Sequence, residues 1–209
     1  MKALKLLLIF GMPVLIILGA AIVNSETVVA RAVAEVKGTT PESPIAGRVI
    51  FAEMEQGLYV TAELTHVPNP GKHGFHVHEK GDCSNNGNAA GGHYNPAGVT
   101  HGHLPTDGHE KAHAGDLGNI TINEDGTGSL QVILSDVHLV GEKNNISGLA
   151  VILHEKEDDF GQPTGNAGGR IGCGIIQSAE SMPVVAEPVP GFLEPAAPVL
   201  ESEPVPEGN

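Results

Sequence analysis

The sequence predicts an all-β protein, either a closed antiparallel barrel or a β-sandwich. Three observations favour this class. About eight short segments rich in Val, Ile and Leu recur between turns that contain Gly and Pro. No stretch between residues 30 and 178 carries a helical period of useful length. The 28 glycines, the absence of Trp and the 3% aromatic content suit short strands and turns better than a helical bundle. Regularly spaced short strands are typical of barrels and sandwiches.

The strands are predicted in two groups on either side of a histidine-rich segment. A Glu-Gln-Gly turn joins the second strand to the third, and Asn-Glu-Asp-Gly at 123–126 is a strong tight-turn signal between the fifth and sixth. Two long segments, the histidine-rich one up to Asp116 and residues 155–169, are predicted to be irregular loops. The predicted strands cover residues 32–36, 47–53, 58–64, 73–78, 117–122, 128–134, 147–154 and 170–176.

The N-terminal residues 1–25 have the layout of a secretory signal. Two lysines precede an apolar run at residues 6–23, and small residues follow near Ala20. The run is long enough for an uncleaved membrane anchor to be the alternative. We therefore expect an exported protein, periplasmic or extracellular, that is tethered to a membrane if the N-terminus is retained.

The C-terminal residues 179–209 differ in composition from the rest of the chain. They contain seven Pro and six Glu but no Lys or Arg. Such a segment cannot bury enough apolar surface to offset its chain entropy, so we predict a disordered or extended acidic tail. The predicted barrel domain lies between the two ends, at residues 31–178.

Net charge and cysteine content narrow the function classes. The formal charge of −14, with no basic run, excludes a nucleic-acid binder. Cys83 and Cys173 are the only cysteines. In a reducing cytosol they would be two unrelated thiols, whereas in an exported protein an even pair indicates one disulfide closing a long loop.

Eight of the eleven histidines lie between His73 and Asp116, which indicates a metal site. His76 and His78 occupy positions i and i+2 of a predicted strand, so both imidazoles point to one face and can reach one ion. A bound metal would also explain how the long irregular segment that follows is ordered. The alternative is an unspecific histidine-rich loop, or surface histidines without a ligand role.

Five sequence motifs follow one another along the predicted barrel domain. They are GFHVHEKGDCS, GGHYNPAGVTHG, HAGDLGN, LHEKEDD and TGNAGGRIGCG, which begin at residues 74, 91, 113, 153 and 164. These motifs resemble those of copper/zinc superoxide dismutases and occur in that family's order. The resemblance covers about residues 31–178 and implies an eight-stranded antiparallel Greek-key β-barrel with two long functional loops.

The resemblance also implies one copper and one zinc per subunit, with a ligand or a role for each matched residue. Arg170 would attract the superoxide anion, Thr164 would narrow the channel, and Asp158 would link His76 to His101. The imidazolate of His93 would bridge the two ions and take part in catalysis. The implied copper ligands are His76, His78, His93 and His154, and the implied zinc ligands are His93, His101, His113 and Asp116.

The implied activity is conversion of two superoxide anions to dioxygen and hydrogen peroxide, with copper cycling between Cu(II) and Cu(I) and zinc in a structural role. A homodimer is a further alternative that the resemblance leaves open. A longer segment between His101 and His113 contains His103 and His109, so either could replace an assigned zinc ligand. Cys83 lies within GDCS, as in exported bacterial members of the family.

Two other function classes compete with the enzyme. A copper-binding module without turnover would lack a copper ligand or Arg170, yet all of these residues are present. An interaction protein would act through the acidic tail, with the barrel as a platform. Among the remaining motifs, we expect His73 to be a hydrogen-bonded structural histidine, and Asn119-Ile-Thr and Asn145-Ile-Ser fit glycosylation sequons that are common by chance.

Overall fold

The computed structural model describes residues 28–179, which form one antiparallel sheet closed into a barrel. The strands are β1 (Val28–Gly38), β2 (Ala46–Met54), β3 (Gly57–Thr65), β4 (Gly71–His78), β5 (Asp116–Ile122), β6 (Gly128–Leu134), β7 (Ala150–His154), β8 (Arg170–Ile175) and β9 (Gln177–Ser178). The strand order is β2-β3-β6-β5-β4-β7-β8-β1, and β1 also pairs with β2, which closes the barrel of eight strands. The two-residue strand β9 pairs with β1 as well.

The all-β class and the eight-stranded barrel are confirmed, with differences at the ends of elements. β1 begins earlier than predicted. β7 begins at Ala150 rather than at Ser147 because Gly148 adopts φ +79°, a left-handed turn conformation that breaks the strand. A single helical turn, α1 (Leu104–Asp107), lies in the segment predicted to be irregular. Four residues are too few to show a helical period in the sequence.

The barrel interior is filled by alternate residues of the strands. In β3, Leu58 and Val60 are buried while Tyr59 and Thr61 are only partly so, as expected for a sheet with one face inward. Phe51 and Phe75 are both fully buried in this core. The core therefore needs only two phenylalanines and many aliphatic side chains, in keeping with the low aromatic content.

β4 and β7 are buried on both faces, which locates the functional region. All five residues of β7 and the last six of β4 are buried. Phe75 and Val77 face the core, so His76 and His78 face the opposite side of the sheet. The two long loops cover that outer side.

The predicted disulfide is confirmed and joins one of these loops to the barrel wall. Cys83 and Cys173 are bonded across a sequence separation of 90 residues, with Cys173 on β8. Within residues 28–179, no helix has the length and apolar character needed to cross a membrane. The predicted signal or anchor at residues 1–25 and the tail beyond Ala179 lie outside the described residues.

Candidate metal centre

Four histidines meet on the outer side of β4 and β7. β4 supplies His76 and His78, β7 ends in His154, and the loop after β4 supplies His93 through an antiparallel bridge to His78. One ring nitrogen from each lies within 4.8 Å of the others. The Nε2 atoms of His78 and His154 are 3.3 Å apart, and the rings of His76 and His93 have centroids 4.2 Å apart.

A second group, centred on the carboxylate of Asp116, shares His93 with the first. Asp116 Oδ1 lies 2.9 Å from His93 Nδ1 and 3.1 Å from His113 Nδ1. Asp116 Oδ2 lies 2.8 Å from His101 Nδ1. One nitrogen or oxygen from each of these four residues again lies within 4.8 Å of the others. Imidazole nitrogens and carboxylate oxygens are both donors that zinc accepts, and four protein donors in one buried group suit a structural ion.

Asp158 connects the two groups through one histidine of each. Its carboxylate accepts hydrogen bonds from His76 Nε2 at 2.8 Å and from His101 Nε2 at 2.9 Å. Both histidines and Asp158 are almost fully buried. Because a carboxylate fixes each Nε2, the opposite nitrogen, Nδ1, is the one that His76 and His101 present to their group.

The unpaired nitrogen of His76 tests whether the first group suits a metal. His76 Nδ1 is buried and has no hydrogen-bond partner among residues 28–179. A buried nitrogen without a partner costs free energy unless something else binds its lone pair. The lone pair faces three other imidazoles, so the donor set fits an imidazole-preferring transition metal such as copper.

The neutral state of the imidazoles in the first group favours metal binding. Burial is the largest cause that lowers the pKa of His78 to about 2, that of His154 to about 3 and that of His93 to about 4. These imidazoles are therefore neutral at pH 7. Neutral imidazole is the form that coordinates metals, so no proton has to leave these rings when an ion binds.

The second group is held by ionic hydrogen bonds. Burial alone lowers the pKa of His101, but its hydrogen bonds to Asp116 and Asp158 outweigh that effect and raise the pKa to about 9. Burial alone raises the pKa of Asp116, whereas hydrogen bonds from His101, His113 and His93 hold it far below its usual range. A metal entering this group must therefore displace a proton from His101.

Arg170 is fixed beside the first group by two backbone carbonyls. Its Nη1 donates to Gly87 O at 2.7 Å, and its Nη2 donates to Gly91 O at 2.5 Å. Gly91 O also accepts from His78 Nδ1 at 2.9 Å. Partial burial lowers the pKa of Arg170, yet a guanidinium remains charged at neutral pH. The result is a positive charge held in one place next to His78.

Two positioning residues were missed by the sequence analysis. The Asn119 side chain donates to Asp158 O at 2.9 Å and accepts from Asp158 N at 2.8 Å. The Gln162 side chain donates to His101 O at 2.8 Å and accepts from His101 N at 3.0 Å. Asn119 belongs to a sequon and ends the motif HAGDLGN, but neither pattern points to Asp158, and nothing near Gln162 in the sequence points to His101. Both amides fix the backbone of a residue that is distant in the chain.

The extra histidines lie away from the ligand groups. His103 packs its ring against Gly118, with Nδ1 3.1 Å from Thr106 Oγ1. His109 Nε2 donates to Ser135 O at 2.7 Å. Neither belongs to a group that could hold a metal among the described residues. The expected structural role of His73 is confirmed, since both of its ring nitrogens contact backbone carbonyls and the ring is buried.

Comparison with known proteins assigns this arrangement to a family. The family model for copper/zinc superoxide dismutase matches residues 45–176, more than half of the chain. The chain belongs to the copper/zinc superoxide dismutase family. A solved structure described as a crystal structure analysis of the clock protein EA4 is 40% identical. That match covers 72% of this chain and 96% of the other, with a TM-score of 0.62.

The family membership identifies the protein as a superoxide dismutase whose metals are copper and zinc. Both four-residue groups are compatible with these metals. They contain the same seven residues that the resemblance assigned to copper and to zinc, and the fold brings these seven side chains together. Thr164, which the resemblance implies at the channel beside Arg170, lines a cavity that reaches His93 and His113 but not Arg170.

We expect Asp158→Asn to weaken zinc binding in this superoxide dismutase by about 10- to 100-fold, because it removes the charge that orients His101 from behind. Competition between the protein and a zinc chelator measures the change. The matched control is Asp159→Asn, since Asp159 is exposed and contacts only its own loop in the described structure. Equal zinc affinity in both variants would contradict the linking role of Asp158.

Proposed function

We propose that dismutation takes place at the group His76, His78, His93 and His154, where copper alternating between Cu(II) and Cu(I) supplies a one-electron carrier. Two superoxide anions and two protons yield one dioxygen and one hydrogen peroxide. The observation that carries this proposal is the buried, unpaired Nδ1 of His76 facing three neutral imidazoles. Four nitrogen donors suit copper in either oxidation state.

The proposed zinc ligands are His93, His101, His113 and Asp116. The low pKa of Asp116 supports this assignment, because it keeps the carboxylate ionised under all physiological conditions. Complete burial of Asp116 and a full set of four protein donors suit a structural ion, which has no open coordination position for substrate. With zinc bound, these four residues would hold the ion in place of the hydrogen bonds that connect the carboxylate to the three imidazoles.

We place the proton transfer at Nε2 of His93. Asp116 occupies the side of His93 Nδ1, which leaves Nε2 for the copper group. His93 would therefore be a ligand in both groups, and its Nε2 would hold the transferred proton. The pKa of His93 is lowered mainly by burial, so the ring releases a proton readily to a more basic oxygen anion.

Arg170 is the proposed binding residue for the anion. Its guanidinium is fixed by Gly87 and Gly91 and lies beside His78, which is itself a proposed copper ligand. A fixed positive charge in a partly buried site attracts a small anion although the whole protein is strongly acidic. The arginine also gives the incoming anion a defined position next to the electron carrier.

The decisive experiment combines metal analysis with an activity assay. The purified protein should contain one copper and one zinc per chain and should remove superoxide catalytically. Full loading with both metals but no catalysis would contradict the proposal and favour a copper-binding module without turnover. Loss of copper without loss of zinc in His78→Ala would support the assignment of His78 to the copper group.

We also propose that the protein is exported to a periplasmic or extracellular location. The Cys83–Cys173 disulfide supports this, since such bonds persist in oxidising compartments. Cell fractionation and N-terminal sequencing of the mature protein test both export and the retention of residues 6–23 as an anchor. The homodimer stays a prediction, and light scattering of the purified protein measures it.

A further inference from the structure

A cavity of about 620 Å³ reaches His93 and His113, two of the proposed zinc ligands, and of these only His93 also belongs to the copper group. Its walls come from the start of the loop after His93, from the segment before His113 and from Gln162 to Thr164. His93 and His113 line it directly, and each is slightly exposed. Among the described residues, none of the other copper-group histidines and no arginine lines this cavity.

The charge in the cavity differs from the charge beside the copper group. Glu110 is the one Asp, Glu, Lys or Arg that lines the cavity, within the part of the chain that the structure describes. Its carboxylate is exposed and makes no hydrogen bond or ion pair with residues 28–179. Beside the copper group, by contrast, the fixed guanidinium of Arg170 repels an approaching dication.

We infer that this cavity is the route by which Zn²⁺ enters and leaves its site, and that Glu110 is the carboxylate that first attracts the ion. The inference rests on the proposed zinc ligands. From the cavity the ion meets His113 and His93 first, whereas His101 and Asp116 lie deeper and are 3% and 0% exposed. Zn²⁺ therefore passes from an exposed carboxylate to two imidazoles at the cavity wall and then to the buried members of the group. Polar groups of Asn95 and Thr100 complete the lining.

Removal of the Glu110 charge should change the rates of zinc uptake and release and not the zinc affinity. Glu110 is not a member of the ligand group, so its removal should leave the zinc affinity nearly unchanged. A charge at the rim of a site changes association rates and their salt dependence. When the affinity is constant, uptake and release must slow by the same factor, because their ratio is fixed.

Exchange of bound zinc with isotopically labelled Zn²⁺ in the full-length, copper-loaded enzyme tests the inference. We expect Glu110→Gln to slow exchange by about threefold at low ionic strength and Glu110→Lys by about tenfold, with both effects shrinking as salt is added. Copper exchange should keep its wild-type rate. Glu142→Gln is the matched control, because Glu142 is exposed in a different loop and does not line the cavity.

Three results would overturn the inference. Wild-type zinc exchange in Glu110→Gln at low salt would exclude Glu110 from the route. Equal slowing in Glu142→Gln would show that only the total charge of the protein matters. Equal slowing of copper exchange would show that the two metals share one entrance. Two other results would instead refute the proposed ligand group itself. One is a wild-type protein that binds less than one zinc per chain, and the other is a variant with His101 and His113 replaced that still retains its zinc.

Discussion

We expect Arg170→Ala to lower kcat/KM for superoxide by at least about tenfold while copper and zinc contents stay at wild-type levels. The guanidinium contacts carbonyls and no proposed ligand nitrogen, so its removal takes away the attraction for the anion and leaves the metal groups intact. The loss should be greatest at low ionic strength, because salt screens the attraction that the wild-type arginine provides. Activity measured across a salt series, together with metal analysis of the same samples, gives the result.

Two further variants test this prediction: Arg170→Lys separates the charge of the side chain from its fixed position, and Arg31→Ala is the control for loss of an arginine elsewhere. The lysine keeps the charge but cannot reach two carbonyls with one planar fork, so we expect activity between wild type and the alanine variant. Arg31 is exposed on β1 and lies outside both ligand groups, so Arg31→Ala should retain nearly full activity. Loss of copper in Arg170→Ala would show that the arginine supports the metal group rather than the anion.

Replacing both cysteines, Cys83→Ser with Cys173→Ser, should lower the free energy of unfolding by about 4 kcal/mol. The disulfide joins two residues that are 90 positions apart, and a cross-link over such a long loop strongly restricts the unfolded chain. Urea denaturation of wild type and variant at equal metal content measures the change. The single variants should approach the double variant, because either one breaks the same bond.

The same substitution should also reduce activity through the loop that Cys83 anchors. That loop supplies Gly87 O and Gly91 O, which hold the Arg170 guanidinium. We therefore expect activity to fall further when Arg170 is intact than when it has already been replaced by Ala. Fully additive effects of the two changes would indicate that the disulfide contributes only to stability and not to the placement of the arginine.

Much of the metal centre could be predicted because its residues carry their chemistry in their type and local spacing. His76 and His78 share a face in any strand that contains both, so a two-residue period was enough to pair them. Asp116 and His113 are three residues apart, and the backbone N–H of His113 reaches the Asp116 carboxylate at 2.9 Å. Local geometry and the family motifs therefore point to the same metal-binding residues.

The supporting residues could not be predicted in the same way. Asn119 and Gln162 act through side-chain amides on backbone groups, and this type of contact leaves no characteristic pattern in the sequence. Asn119 contacts a residue 39 positions away, and Gln162 one 61 positions away. The start of β7 could not be predicted either. The apolar pattern begins at Ser147, but the left-handed backbone of Gly148 makes the strand begin at Ala150.

The all-β class, the residue types that can bind metal and the single possible cysteine pair follow from the sequence alone. Periodicity, donor chemistry and cysteine count are properties of short segments, and they need no knowledge of the fold. Other features follow from the fold: His103 and His109 lie away from both ligand groups, Gly87 and Gly91 hold Arg170, and Glu110 lines the same cavity as His113. These facts depend on which distant segments the closed barrel brings together. Several packings satisfy the same local preferences, and burial of the whole core selects one of them.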